Sequence, residues 1–338
     1  MNIIKPNVEI INEPDLLKRI EIAGRTAYKS EDKICAGSAK KFFDFLVKHG
    51  HESVLEHSNI IVYAQSDVTC NHLLAILQDY ERQTQLPHFI RNSNHEKDVN
   101  IDGDIFEYSN IFSGNLRAWR SIVKQFYAEP IFVHLFYNHF AFADIYENAS
   151  LADKEKGIHP LSTYDLAESM YDETAQAEII PWAPGEIHNI ITARFTCSRA
   201  IANEIVRSRT LSFTQTSTRY IRVGELDVTE PWWFEDATLK NYEVMRTVFL
   251  RSGLEAEQNY KSYTQHGAAP QFARGCLPQD TNAEIVITGT ALDWERYIKL
   301  RTASGAHPDI IRVTCIMEEK FNCMKLETSN WSQPLCLN

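Results

Sequence analysis

A group of arginines without any acid among them is the part of this chain best suited to hold a small anion. The stretch from residue 207 to 224 has no Asp or Glu, although the whole chain carries a net charge of −11, and it contains four arginines: Arg207, Arg209, Arg219 and Arg222. Many of its other residues are Ser or Thr. Guanidinium groups and small hydroxyls donate several hydrogen bonds in fixed geometry, which suits phosphate. The stretch therefore predicts a site for a phosphate-bearing ligand.

A plainer interpretation exists for the first two of these arginines. A helix predicted from about Ser198 runs into them, and a cation near the end of a helix stabilises it by roughly 0.3–1 kcal/mol. Arg207 and Arg209 are two residues apart and, at about 100° per residue, would point in different directions and can hold two different ligand groups. The helix end does not account for Arg219, Arg222 or the hydroxyls, so we favour anion binding.

The segment H-G-H-E-S-V-L-E-H, His49 to His57, is a second concentration of chemical groups. Its three histidines and two glutamates are compatible with a metal site, with a structural turn before a strand, or with ligand contacts. His51 and His57 are six residues apart, which is not one face of a helix, and no HExxH pattern is present. We therefore predict no metal, and the structural turn and the ligand contact both remain open.

A third set consists of Arg274, in F-A-R-G-C-L-P, and two arginines of a later predicted helix, Arg296 and Arg301. Arg296 and Arg301 are five residues apart and diverge by about 140° around the helix. Solvated surface arginines are the default interpretation for each of them.

Composition excludes several classes of protein. The acidic balance argues against non-specific nucleic-acid binding, and no apolar run approaches the roughly 18 residues of a membrane span. The seven cysteines are scattered and form no CxxC pair, which indicates a reducing compartment, and we expect a cytoplasmic protein.

Predicted helices and strands alternate in an α/β or α+β pattern without internal repeats. Strands are predicted over Ser58–Ala64, Ile190–Thr196 and Ala283–Thr288, and helices from about Asn12, Ser38, Asp236 and Ala291. Residues 94–185 interrupt this order with an aromatic-rich stretch. We interpret them as an insertion, largely helical, within a single domain of residues 1–338, because its aromatics must be buried somewhere.

Five segments together resemble the flavin-dependent thymidylate synthases. The segment from Arg207 to Tyr220 is similar to the signature of that family. The signature is Arg-His-Arg, a Ser three residues later, and then Ser-x-Arg-Tyr. Four further segments resemble family blocks in the same order, over roughly residues 1–66 and 186–320: Gly24–Lys33, His49–His57, Ala273–Pro278 and Lys299–Pro308. Longer members contain an insertion, and the resemblance implies the family's fold, a mixed sheet flanked by long helices.

The resemblance also implies an activity and its cofactors. Members are homotetramers that bind FAD, reduce it with NADPH, and transfer the methylene of 5,10-methylenetetrahydrofolate to C5 of dUMP, where flavin hydride completes dTMP. Neither nucleic acid nor a membrane is implied as a partner. No cysteine nucleophile is needed, which suits the scattered cysteines of this chain.

Site residues follow from the matched positions. The resemblance implies FAD contacts from Ser53, Arg207, Ser208, Arg209, Gln215, Thr290, Leu292 and Arg296. It implies dUMP contacts from Glu204, Arg207, Gln215, Thr216, Ser217, Thr218, Arg219, Arg274 and Arg301. The hydroxyls and N–H groups of residues 216–219 would surround the nucleotide phosphate. Arg301 would lie against the uracil and stabilise the negative charge that develops on the ring.

The chain departs from the family at several of these positions. Ser208 replaces the central His of the signature, and Glu204 stands where a Gln is common, so a carboxylate would repel phosphate unless Arg207 pairs with it. Thr290, Leu292 and Arg296 replace an Asn, an Arg and an Asn. An alternative is therefore a catalytically altered homologue that binds dUMP-like nucleotides, either without catalysis or to make a modified pyrimidine nucleotide.

Overall fold

The computed structural model describes residues 1–86, 89–93, 98–101, 104–107, 110–155, 173–181, 183 and 187–327. It is a mixed structure of helices and sheets, as predicted. The chain divides into two compact units, one made by Met1–His57 and Ile190–Ser329, the other by Ser58–Asn189.

Twelve strands and eleven helices of the described residues are numbered here in chain order. The strands are β1 (Asn2–Ile4), β2 (Asn7–Ile10), β3 (Asn59–Ala64), β4 (Arg91–Ser93), β5 (Asp98–Ile101), β6 (Asp104–Glu107), β7 (Ile111–Asn115), β8 (Ala177–Ile180), β9 (Ile190–Ser198), β10 (Ser212–Gln215), β11 (Asp227–Thr229) and β12 (Asn282–Thr290). The helices are α1 (Leu16–Tyr28), α2 (Ser38–Lys48), α3 (Asp67–Thr84), α4 (Leu116–Phe126), α5 (Pro130–Phe136), α6 (Ala143–Glu155), α7 (Arg199–Ile205), α8 (Tyr242–Gln265), α9 (Pro270–Ala273), α10 (Ala291–Arg301) and α11 (Pro308–Glu327).

The first unit contains a four-stranded antiparallel sheet in the order β10-β12-β9-β2. On one face Phe195 of β9 lies opposite Ile285 of β12, and both are fully buried. Helix α10 covers this face through Trp294, whose ring stacks 6.0 Å from that of Phe195 and whose indole N–H donates to the Ile191 carbonyl at 3.0 Å. Alternate residues of a strand share a face, and Ile191, Ala193 and Phe195 of β9 are all buried.

The opposite face of the sheet is also covered, by a buried histidine. His57 ends a single 3₁₀ turn, Glu52–His57, and is 0% exposed. Its Nδ1 lies 2.7 Å from the Thr288 hydroxyl and its Nε2 lies 2.8 Å from the Thr214 hydroxyl. Thr288 in turn contacts the hydroxyl of Thr192 at 2.9 Å. One imidazole therefore links this turn to β10 and β12, and Thr288 extends the link to β9.

Burial, and secondarily the charge of Arg19, lowers the pKa of His57 to about 3. The ring is consequently neutral, so one nitrogen donates and the other accepts. For His57 the structural turn is thus the interpretation that the contacts favour. His49, earlier in the same segment, also contacts the backbone: its Nδ1 lies 2.8 Å from the Phe45 carbonyl oxygen at the end of α2. Among the described residues no three His, Cys, Asp or Glu side chains are grouped so that they could hold a metal ion.

The second unit has its own antiparallel sheet, in the order β4-β7-β3-β8, and its own core. The Trp119 indole on α4 donates to the Ile60 carbonyl of β3 at 3.0 Å, and the rings of Phe136 and Phe142 stack 4.2 Å apart. Burial of the aromatic stretch is confirmed for Phe132, Phe136 and Phe142, whereas Phe140 is 40% exposed.

Three expectations about boundaries need correction or remain open. The predicted insertion is not purely helical, because four strands, β5 to β8, lie within it; strands of four or five residues leave little sequence signal. The second unit begins at Ser58, before the predicted boundary at residue 94, and the single-domain assignment stays a prediction. Residues 94–97 and 156–172 of that insertion lie outside the described residues.

The long helix α8 begins at Tyr242 rather than at Asp236. Asp236 instead accepts the Thr238 N–H at 3.0 Å, just after a 3₁₀ turn over Trp232–Glu235. Within the described ranges, no helix combines the length and the apolar character that a membrane crossing requires.

The neutral, buried His57 predicts a specific pH dependence of stability. Its folded pKa lies below the unfolded value, so acid favours the unfolded state, and the free energy of unfolding should fall by at most about 1.4 kcal/mol per pH unit from about pH 6.5 towards pH 3. We expect His57→Gln to be less stable than the parent protein at pH 7, and the difference between the two to shrink on acidification. Urea unfolding of both proteins at several pH values measures this. A difference that does not change with pH would contradict the assignment.

Candidate functional site

The arginine-rich stretch forms a turn, a strand and a second turn in the first unit. Helix α7 ends at Ile205, so Arg207 and Arg209 lie in the turn beyond it rather than in the helix as expected. The chain then enters β10 and leaves it at Gln215, and residues 217–220 form the second turn. The hydrogen bond from the Ser217 N–H to the Ala27 carbonyl at 2.9 Å fixes this second turn against the end of α1.

The four arginines of the stretch are exposed, and no carboxylate within the described part of the chain pairs with any of them: Arg207, Arg209, Arg219 and Arg222. Glu204 and Arg207 contact each other only through the backbone, where the Arg207 N–H donates to the Glu204 carbonyl at 3.2 Å. Arg219 lies over the Tyr220 ring, 5.3 Å from its centroid. The cationic character predicted from the sequence is therefore not cancelled by local acids.

Tyr220 also contacts a second phenol. Its ring centroid lies 5.5 Å from that of Tyr28, at the end of α1. Burial, and secondarily the neighbouring Tyr220, raises the pKa of Tyr28. The Tyr28 phenol is therefore protonated near neutral pH and adds no negative charge beside the arginines.

The hydroxyls of the stretch are not equivalent. That of Thr214 is held by His57, and that of Thr216 donates to the Glu284 carbonyl at 3.0 Å and accepts the Glu284 N–H at 3.2 Å. The hydroxyl of Ser217 has no hydrogen-bond partner among the described residues, and neither have the backbone N–H groups of Thr218 and Arg219. Residues 217–219 thus present unpaired donors in one turn, an arrangement that suits an anion.

Gln215 has an amide nitrogen that is buried without an acceptor in the described structure. Burying an amide N–H without a hydrogen bond costs about 1–3 kcal/mol, so such groups are uncommon in native proteins. Gln215 is the last residue of β10, directly before the turn with the open donors.

Arg301, at the end of α10, reaches the end of helix α7. Its guanidinium donates to the Glu204 carbonyl and lies 3.4 Å from the Ser208 hydroxyl, while its Nε is buried without an acceptor in the described residues. A cation at a helix C-terminus is electrostatically favourable there. The structure therefore brings Glu204, Ser208 and Arg301 together.

The residues expected to contact FAD differ from one another in exposure and in their hydrogen bonds. Ser53 and Arg296 are exposed and Leu292 is half-buried. Thr290 is the N-cap of α10, and its hydroxyl forms a capping box with Asp293, donating to the carboxylate at 2.7 Å. The Thr290 hydroxyl is therefore used by the helix, so a ligand contact through that hydroxyl is not supported.

One cation near the site was not found from the sequence. Arg199 is half-buried, and its Nη1 donates to the Thr216 carbonyl at 3.4 Å. Burial, and secondarily the charge of Arg274, lowers the pKa of Arg199. Arg199 and Thr216 are 17 residues apart in sequence, and only the fold brings them together. Their contact could therefore not be predicted from local sequence.

Comparison with known proteins assigns a family to these residues. The model of the family described as "Thymidylate synthase complementing protein" matches residues 9–75 and 162–323, more than half of the chain. A flavin-dependent thymidylate synthase of Thermococcus onnurineus is 31% identical over 117 residues, 34% of this chain and 46% of that protein. One of Corynebacterium aurimucosum is 32% identical over 133 residues, 35% of this chain and 53% of that protein. The chain spans about half the length of these curated relatives.

A solved structure is also similar to this chain. The UMP/dUMP methylase PolB from Streptomyces cacaoi, bound with 5-Br dUMP, is 23% identical with a TM-score of 0.37, over 41% of this chain and 68% of that one.

Removal of the two neighbouring hydroxyls, those of Thr216 and Ser217, should have unequal effects on stability. Thr216→Val removes two hydrogen bonds to the Glu284 backbone and should lower the free energy of unfolding by roughly 1–3 kcal/mol. Ser217→Ala removes an open hydroxyl and should change it by no more than about 0.5 kcal/mol. Urea denaturation midpoints at unchanged slope measure both. Equal losses would show that the hydroxyls are not used as described.

Proposed function

The chain belongs to the thymidylate synthase complementing protein family, and on that premise we propose that it is a flavin-dependent thymidylate synthase. The proposed reaction is the reductive methylation of dUMP to dTMP, with 5,10-methylenetetrahydrofolate as carbon donor and NADPH as reductant of FAD. The observation that supports it best is the carboxylate-free turn after β10, with open donors at residues 217–219 beside the unpaired amide of Gln215.

We assign the phosphate of dUMP to that turn. The N–H groups of Thr218 and Arg219 and the Ser217 hydroxyl would donate to its oxygens, and Arg274 would add charge. The Thr216 hydroxyl, expected to surround the phosphate, instead bonds to the Glu284 backbone and holds the loop there. Thr216 would therefore act on the ligand only by fixing the position of the turn. Charge-assisted hydrogen bonds of this kind are about twice as strong as neutral ones.

We assign the pyrimidine to Gln215 and Arg301. Arg301 is anchored at the end of α7 by the Glu204 carbonyl, so its guanidinium is oriented before a ligand arrives. A preorganised cation beside the ring stabilises negative charge that develops there without reorganisation at the moment of reaction. Glu204 would act through this carbonyl rather than through its carboxylate.

The exposed members of the expected flavin set fit a large cofactor: Ser53, Arg207, Arg209 and Arg296. FAD, when bound, supplies the hydride chemistry that no side chain of this protein can supply. Ser208 would contact it only in part, since its hydroxyl also lies 3.4 Å from Arg301.

A homotetramer is part of the proposal, and helix α8 supports self-association. One side of α8 buries Gly253, Ala256 and Tyr260, whereas Val244 and Val248 elsewhere on the helix are 63% and 46% exposed. Exposed apolar side chains grouped on one helix are typical of an interface between subunits.

The altered homologue remains the second candidate because of two observations. Ser208, which stands where the family has a histidine, contacts Arg301 through its hydroxyl. The Thr290 hydroxyl donates to Asp293 in the cap of α10. A protein that binds dUMP but neither retains FAD nor releases tritium from C5-labelled dUMP would establish this second function.

The enzyme predicts turnover that depends on Arg301. The purified protein with FAD should absorb as a flavoprotein and release tritium from C5-labelled dUMP. Arg301→Ala should keep its fold and flavin content yet lose turnover by orders of magnitude, because the charge beside the ring is gone. Arg82→Ala is the matched control, since Arg82 is an exposed arginine of α3 paired with Asp79. Turnover of Arg301→Ala equal to that of the control would remove Arg301 from the mechanism.

A further inference from the structure

Strand β10, which carries Gln215, lies at the edge of the sheet in the first unit and is only four residues long. Its backbone pairs with β12 on one side, and no strand of the described residues pairs with its other side. A short edge strand has few ladder hydrogen bonds, and such segments open locally more easily than central strands. A side chain whose direction depends on β10 therefore needs further contacts that keep the strand in place.

Gln215 is such a side chain, and both of its neighbours are held by their hydroxyls. The Thr214 hydroxyl lies 2.8 Å from His57 Nε2, and the Thr216 hydroxyl donates to the Glu284 carbonyl at 3.0 Å. Because alternate residues of a strand share a face, these two threonines point to one side of the strand and Gln215 points to the other. The two contacts together fix how the strand is rotated about its own axis at residue 215.

His57 comes from a different segment and is itself anchored. The ring is fully buried, and its Nδ1 lies 2.7 Å from the Thr288 hydroxyl on β12. The two nitrogens belong to one rigid ring, so the contacts to Thr288 and Thr214 are held at a fixed separation. The imidazole therefore connects β10 to β12 through side chains, in addition to the backbone ladder between the two strands.

We propose that His57 is a positioning residue for the nucleotide, which acts through Thr214 and directs the buried amide of Gln215 at the pyrimidine. The proposal rests on the proposed function and states how the pyrimidine end of that site is held. The Gln215 amide nitrogen has no acceptor in the described structure. A misdirected side chain would lose the hydrogen bond to the ligand and leave the amide buried without a partner. An amide that is held in the binding orientation beforehand avoids the cost of being ordered when the ligand arrives.

The phosphate end of the site has separate anchors. The Thr216 N–H donates to the Glu284 carbonyl at 2.9 Å, and the Ser217 N–H donates to the Ala27 carbonyl at 2.9 Å. These contacts hold the turn of residues 217–219 without any atom of His57. Loss of the contact between His57 and Thr214 should therefore affect the ligand through Gln215 and leave the turn in place.

The test measures dUMP binding by titration calorimetry on the parent protein and on variants of Thr214. We expect Thr214→Val to weaken binding about three- to tenfold at unchanged stoichiometry, because the hydrogen bond to the imidazole is lost. Thr214→Ser keeps the hydroxyl and should bind as the parent does. Thr229→Val is the matched control, because Thr229 is a buried threonine of the same unit whose hydroxyl donates to the Asn282 side chain at 3.0 Å. This control should lose stability but not affinity.

A purely structural role of the contact would give a different result. Partial unfolding lowers the number of binding sites in the sample, whereas the dissociation constant of the folded fraction stays the same. Thr214→Val with a reduced stoichiometry and the affinity of the parent would therefore overturn the proposal. Equal weakening of dUMP by Thr214→Val and by Thr229→Val would overturn it as well.

Two double variants show where the effect acts. On a Gln215→Leu background, Thr214→Val should no longer weaken dUMP, since the side chain that the contact directs is absent. His57→Gln combined with Thr214→Val should bind no more weakly than His57→Gln alone, because both changes remove the same contact. The Thr214 variants decide the matter by themselves if His57→Gln does not fold. A loss of the same size on the parent and the Gln215→Leu backgrounds would contradict the proposal.

Failure of the proposed function can be distinguished from failure of this inference. A parent protein that does not bind dUMP contradicts the proposed function and the role of His57 together. A parent protein that binds dUMP, with Thr214→Val binding it equally well, contradicts the role of His57 alone.

Discussion

The hydrogen bonds between Thr216 and Glu284 are the constraint on which the site depends. Thr216 bonds to the Glu284 backbone through its own N–H at 2.9 Å and through its hydroxyl, which both donates and accepts. This bonding extends the β10–β12 ladder by one residue and ends it abruptly, so the next residues leave the sheet at a fixed point. His57 reinforces the same strand two residues earlier, through Thr214. A buried neutral imidazole and one threonine therefore hold the turn that carries the open donors, and neither needs to touch a ligand to matter.

The turn after β10 differs in charge from the rest of this acidic chain. A net charge of −11 repels a nucleotide from most of the surface, yet the described residues around the turn offer arginines without acidic partners. The buried amide of Gln215 and the half-buried guanidinium of Arg199 cost stability when no ligand is bound, because each is partly removed from water without full compensation. That cost is recovered when an anion binds. Proteins accept such local penalties mainly where a ligand repays them, and the orphaned amide of Gln215 follows the same logic.

The sequence predicted the strands of the first unit and the cationic stretch. It did not predict which side chains of that stretch bond to the protein and which remain open. The alternation of apolar residues in β9 and the start of α10 at Ala291 were predictable because periodicity and capping are local. Thr214, Thr216 and Ser217 carry the same functional group, and only the fold decides that the first is bound by His57, the second by Glu284 and the third by nothing described. Arg199 was missed for the same reason. Strands β7 and β8 inside the predicted insertion were missed because they are short and pair with residues distant in sequence.

A crystal structure of the protein soaked with dUMP tests the central claim most directly. The account predicts phosphate oxygens at about 2.7–3.2 Å from the backbone nitrogens of Thr218 and Arg219, with the Gln215 amide donating to the same nucleotide. A nucleotide bound elsewhere, with residues 217–219 facing only water, would contradict it.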